Sequence, residues 1–262
     1  TLDLPEYEPK LAVFCVLHPD TTPVIYLNRS KSSFDYSDTS HETVYISDAQ
    51  VVITDVSAGI NDTLKFNYSG QLYEGKLIIK SGQRYILNIW HKGKQVSAET
   101  IVPQPVEITG IENHMEKQGE MEYESYSGPV KVKYMDQAGQ GNAYSLTIFQ
   151  PNAIWNGGGF DTIVDRYTDM FYNFDRASDG KEMMNEYNGY FSRQIDIPTY
   201  SIEIAVENFT IETAEYLESV REQNYTRGDP TTEPVLIKHN ITGGLGIFGA
   251  STTGKKAKVK IW

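Results

Sequence analysis

The sequence predicts a mainly β chain: an N-terminal immunoglobulin-like β-sandwich, then a C-terminal, mostly β unit carrying one packed α-helix. Three observations predict it. Short alternating apolar runs recur with turn residues at intervals of about 8–12 positions, the rhythm of a sandwich. Tyrosine is abundant, with 18 residues against 10 phenylalanines and 3 tryptophans. Its ring packs well in strands while its hydroxyl stays hydrated. Only one stretch, just after residue 210, combines a cap with helical spacing.

Taken in order, residues 1–8 read as a polar, proline-punctuated tether. Residues 9–18 (PKLAVFCVLH) are apolar at successive positions, as in a strand buried on both faces. Pro19-Asp20 turns the chain into a second strand, 23–28. A serine-rich loop, 29–42, precedes strands at 43–47, 49–54, 64–68, 73–79, 83–91 and 95–102. Ser81-Gly82 and Lys92-Gly93 are the turns between the later ones. The first domain is therefore 9–104. Pro103-Gln104-Pro105 marks its end, because paired prolines stiffen an extended connector and stop ladder pairing.

The second domain is 105–262. Strands are predicted at 106–111, 120–126, 130–135 and 144–150. After Pro151 the alternation lapses, and 152–190 reads as a long irregular insertion rich in aromatic residues. Exposed rings favour binding hot spots, so Trp155, Tyr167, Phe171 and Tyr172 are the candidate contacts for a partner or ligand. Residues 200–208 return to clean alternation. A helix is predicted over 210–223: Thr210 caps it, Glu212 sits in its first turn, and Ile211, Ala214, Leu217 and Val220 form its apolar stripe. Strands at 235–240 and 257–261 finish the chain.

Motifs for chemistry fail on context. Gly244-Leu245-Gly246-Ile247-Phe248-Gly249 fits a dinucleotide fingerprint, but no helix follows to take a pyrophosphate. The overlapping Gly249 to Lys255 run resembles a phosphate loop that ends in Lys256 where a hydroxyl is needed for magnesium. These glycines read instead as sites of tight turning and close backbone approach. Asp175 to Glu186 partly matches a calcium loop, yet Ala177 occupies a ligand position. The histidines His18, His41, His91, His114 and His239 show no metal-binding spacing. The lone Cys15 forms neither an internal disulfide nor a zinc cluster. No catalytic residue, cofactor or metal is expected. The net charge of -12 opposes a phosphate backbone, which argues against nucleic acid.

Ordered landmarks carry a family resemblance: PKLAVFCVLHPDTTPVIYLNRSKS near the start, GQRYILNIW with ETIVPQPV, TAEYLESV on the helix, and VLIKHNITGGLGIFGAS at the end. Together they resemble the Bacteroidetes lipoproteins grouped as domain of unknown function 4249. The resemblance implies a lipidated cysteine upstream of Thr1, hence an outer-membrane protein held by lipid alone. It also implies association with a TonB-dependent transporter and a role in nutrient uptake. A glycan or peptide is the expected ligand. Asp20-Thr21-Thr22, Asp62-Thr63-Leu64 and Asp161-Thr162-Ile163 resemble the short O-glycosylation signal of such bacteria. The expected function is that of a non-enzymatic accessory lipoprotein. A structural or adhesive module is the second expectation, and a glycan hydrolase with two facing carboxylates the third.

Overall fold

The computed structural model describes residues 8–30, 45–118, 124–139, 141–155, 160–169, 171–176, 179–192, 200–226, 232–233 and 235–262. The fold is mainly β. Strands β1 (Leu11–Leu17), β2 (Val24–Arg29), β3 (Gln50–Asp55), β4 (Ile60–Thr63), β5 (Lys65–Asn67), β6 (Leu72–Glu74), β7 (Arg84–His91) and β8 (Lys94–Ile101) come first. Then follow β9 (Ile108–Asn113), β10 (Glu116–Gln118), β11 (Ser125–Met135), β12 (Asn142–Trp155), β13 (Phe160–Thr168), β14 (Asn173–Phe174), β15 (Glu182–Ser192) and β16 (Ser201–Thr210). Helix α1 (Ile211–Thr226), β17 (Leu245–Thr253) and β18 (Ala257–Lys260) close the chain. No helix among the described residues is long and apolar enough to cross a membrane.

Two compact units result. The first joins Thr1–Pro103 to Glu212–Ser251; the second joins Gln104–Ile211 to Thr252–Trp262. This differs from the sequence division, which gave all of 105–262, the helix included, to the second unit. The cause is β17, which pairs in parallel with β1 from Ala12↔Leu245 to Leu17↔Ala250. Parallel partners need a long crossover, and here the crossover contains Gln104–Ile211, the larger part of the second unit.

The first unit is a sandwich. One sheet runs β4-β3-β7-β8, and strands β17, β1, β2, β6 and β5 lie side by side in the other. Leu11, Val13, Cys15 and Leu17 of β1 meet Val51 and Ile53 of β3 and Leu87 and Ile89 of β7 in one core. Burial pushes the Cys15 thiol up, which keeps it an unreactive core group. The second unit has its own core. Val130, Val132 and Tyr134 of β11 pack with Tyr144, Leu146 and Ile148 of β12 and Ile202, Ile204 and Val206 of β16.

The expected irregular insertion is mostly strand. β12 continues through Pro151 to Trp155 and pairs with β13 from Thr147↔Thr168 to Trp155↔Phe160. Pro151 is tolerated because the β12–β16 ladder ends at Phe149↔Glu203. Its carbonyl accepts from Tyr200 Oη at 2.9 Å, beyond that ladder, so its missing N–H falls where none is required. β15 pairs with β11 along its whole length, from Ser125↔Ser192 to Met135↔Glu182.

Candidate functional site

The site begins with the composition of β1. Its positions alternate between core and outer face, and both sets are apolar. Leu11, Val13, Cys15 and Leu17 are buried, as expected, but Phe14 on the other face is 38 % exposed. The strand is therefore buried on one face only, contrary to the sequence reading. An outer sheet face facing water is normally polar; this one offers Ala12, Phe14 and Val16.

Neighbouring elements turn that face into a groove. On β2, Tyr26 stands opposite Phe14 and Asn28 opposite Ala12. The Phe14 and Tyr26 rings lie 6.3 Å apart at 52°. Helix α1 sets Tyr216 on the other side of Phe14, with ring centroids 6.1 Å apart. The segment 235–240 contributes Ile237 and His239, and β17 contributes Leu245 and Gly246. The groove has a volume of about 280 Å³. Among the described residues, no carboxylate, lysine or arginine lines it. Burial raises the Tyr216 hydroxyl above the ordinary tyrosine value, so it remains a neutral donor beside the apolar wall.

Two glycines make this placement possible. Gly246 has φ +100°, and a β-carbon there would lie 1.9 Å from the Val13 carbonyl oxygen of β1. At Gly249 a β-carbon would lie 1.9 Å from Thr213 Oγ1, so only glycine lets α1 seat against β17. The Ala250 N–H donates to that same oxygen at 3.1 Å. The helix accordingly buries Thr213, Ala214 and Ser219 rather than the full expected stripe. The glycine-rich ending is strand, and no helix follows it, so neither nucleotide pattern has its structural context.

The four sequence-predicted contacts lie in the second unit. Trp155 is opposite Phe160 at the end of the β12–β13 ladder, and its side chain lies outside the described residues. The Tyr167 hydroxyl is hydrogen-bonded to that of Tyr187. Tyr172 packs edge-on against Phe209, 5.3 Å away at 88°. Phe171 is 74 % exposed between β13 and β14. Tyr167 and Tyr172 thus pack on different partners. Sequence reasoning missed the groove, although its signal was present in a strand apolar on both faces.

Among the described residues, no three His, Cys, Asp or Glu side chains converge to hold a metal. In the partial calcium match, Asp175 accepts from the Asn142 N–H, Asp179 from the Gly139 N–H, and Glu186 lies opposite Lys131 within β15. His18 Nδ1 and Ser251 Oγ are 3.0 Å apart, but Ser251 has no exposed surface through which a substrate can reach it. The buried carboxylates serve structural bonds. Asp55 accepts from the Ser57 and Ala58 N–H groups, Asp136 from the Tyr144 hydroxyl and the Gly180 N–H, and Glu207 from Thr147 Oγ1 and Arg166. Among the Asp-Thr tripeptides, Asp62 accepts from the Lys76 and Leu77 N–H groups while Thr63 stays exposed.

A family model described as Domain of unknown function (DUF4249) matches residues 1–257. No curated protein matches. Among solved structures, a chicken interferon gamma receptor alpha chain is 8 % identical, with 98 % of each chain covered and a TM-score of 0.20. A likeness that low carries no argument.

Proposed function

Because the chain belongs to the DUF4249 family, we propose that it is a non-enzymatic lipoprotein of the Bacteroidetes outer membrane. In this reading a lipid anchor upstream of Thr1 holds it at the surface, and it serves as an accessory binding partner of a TonB-dependent nutrient-uptake system. The observation that carries the binding role is the groove on the outer face of β1. An apolar sheet face left open beside a helix costs solubility, and such patches mark interaction sites. Its three rings are large, amphipathic contact groups of the kind that dominate binding energy. Its lining suits recognition of an uncharged group: two phenols, one amide and one imidazole surround an apolar floor.

The test is to purify the lipidated protein from native outer membranes and ask whether a TonB-dependent transporter comes with it. Wild type, Phe14→Ala and Tyr216→Ala are compared. The transporter should accompany wild type and fall about tenfold or more with either variant, the loss of roughly 1.4 kcal/mol or more. A transporter absent from the wild-type preparation would sink the partner assignment. One retained equally by both variants would sink the groove.

A further inference from the structure

We propose that the groove is occupied by an extended peptide segment of a partner protein, added as a strand beside residues 235–240. This rests on the groove being the binding site. The sequence there, VLIKHN, reads as a strand, and the chain runs through it without helix, turn or bend. Yet it is assigned to no strand and joins no ladder. Only alternate N–H groups are used: Lys238 N–H donates to Ser219 Oγ at 3.0 Å, and Asn240 N–H to the Gly246 carbonyl at 3.3 Å. In an extended chain, successive residues direct their backbone groups to opposite sides. Ile237 and His239 therefore direct an N–H and a C=O each away from α1 and β17, and among the described residues these groups have no partner.

That is an unfinished sheet edge, the feature used in recognition by strand addition. The two residues offering the edge are the same two whose side chains line the groove. Phe14, Tyr26 and Tyr216 line the same groove. The exposed Leu236, 84 % accessible, extends the apolar surface on the other face of the segment. Complementarity of charge defines the occupant further. A lining without Asp, Glu, Lys or Arg takes apolar side chains, since a buried charge without a counter-charge is costly. The partner segment is thus an extended peptide with apolar residues at alternate positions.

The experiment uses the whole chain with a panel of short synthetic peptides alternating threonine with Phe, Tyr, Leu or Val. Hydrogen exchange at Ile237 and His239 is followed. A binding peptide should slow exchange at both amides about tenfold or more. Ile237→Pro and His239→Pro, which remove unbonded N–H groups, should weaken that peptide at least tenfold while thermal stability holds. Methylating alternate peptide nitrogens should do the same with the protein untouched. If binding survives both prolines and peptide methylation but is lost in Tyr216→Ala, strand addition is wrong and the groove stands. If Tyr216→Ala also binds normally, the groove falls as well. If no peptide protects the two amides, or if they become protected only through self-association at high protein concentration, the peptide occupant is overturned.

Discussion

Gly249 and Thr213 show how much of the fold depends on one missing methyl group. Gly249→Ala places a β-carbon against Thr213 Oγ1, the acceptor for the buried Ala250 N–H. Overpacking of this kind costs about 1–3 kcal/mol, and Thr213→Ala costs about 1–3 kcal/mol by leaving that N–H unsatisfied. In the double variant the 1.9 Å overlap is gone and a tight 3.1 Å approach to the residue 213 β-carbon remains, so the loss should be smaller than the sum of the single losses. A urea-denaturation cycle measures this, and strict additivity would refute direct contact as the cause. The backbone role of these glycines was legible because the nucleotide motifs around them lacked a helix. Their partner was not legible. Apolar positions every three residues drift by about 60° per step around a helix, so the stripe from Ile211 to Val220 does not single out Thr213 as buried.

Among the elements, residues 152–190 depart most from expectation. The inward positions of β15 are Met183, Asn185, Tyr187, Gly189 and Phe191, while Met184 and Tyr190 face outward, 44 % and 67 % exposed. Alternation is complete in space yet hidden in sequence, because Asn185 and Gly189 take inward places and apolar residues take outward ones. Asn185 belongs inside because it accepts from the Tyr134 hydroxyl at 2.7 Å and donates to the Tyr144 carbonyl at 3.3 Å. Long-range bonds of that kind leave no periodic trace. Deleting 152–190 removes Met183 from the second core and the strand that pairs along all of β11. The deletion should therefore abolish cooperative unfolding of the second unit, seen as a lost calorimetric transition and rapid proteolysis across 104–211. A deletion retaining both transitions would contradict the strand assignment.

Across the molecule, two properties separate. The discontinuous first unit was illegible, because β1 and β17 pair across more than two hundred residues and neither carries a local mark of the other. The dominance of tyrosine was legible, and the structure gives it a consequence. Burial raises the hydroxyls of Tyr85, Tyr134, Tyr144 and Tyr216 above the ordinary value near 10; the Asp136 carboxylate bonded to Tyr144 adds to its shift. In the unfolded chain these groups lose protons near pH 10, while the folded chain keeps them. The native state then binds more protons, so stability falls as pH rises from about 10 through the folded values, and below that range the contribution is complete. Tyr190 is the contrast, because its bonds with Ser125 and Ser192 lower its value and it should ionise early with the fold intact. Heating at increasing pH should show a melting temperature that declines steeply beyond about pH 10. Tyrosinate absorbance should rise in a small early step, then in a cooperative one that coincides with loss of circular dichroism. Tyr216→Phe removes one raised group without emptying the groove wall, so it should make the alkaline decline shallower and leave neutral-pH stability nearly unchanged. Gradual ionisation of all tyrosines with dichroism preserved would show that the buried rings exchange with solvent without unfolding. The alkaline limit would then have to arise from groups other than tyrosine.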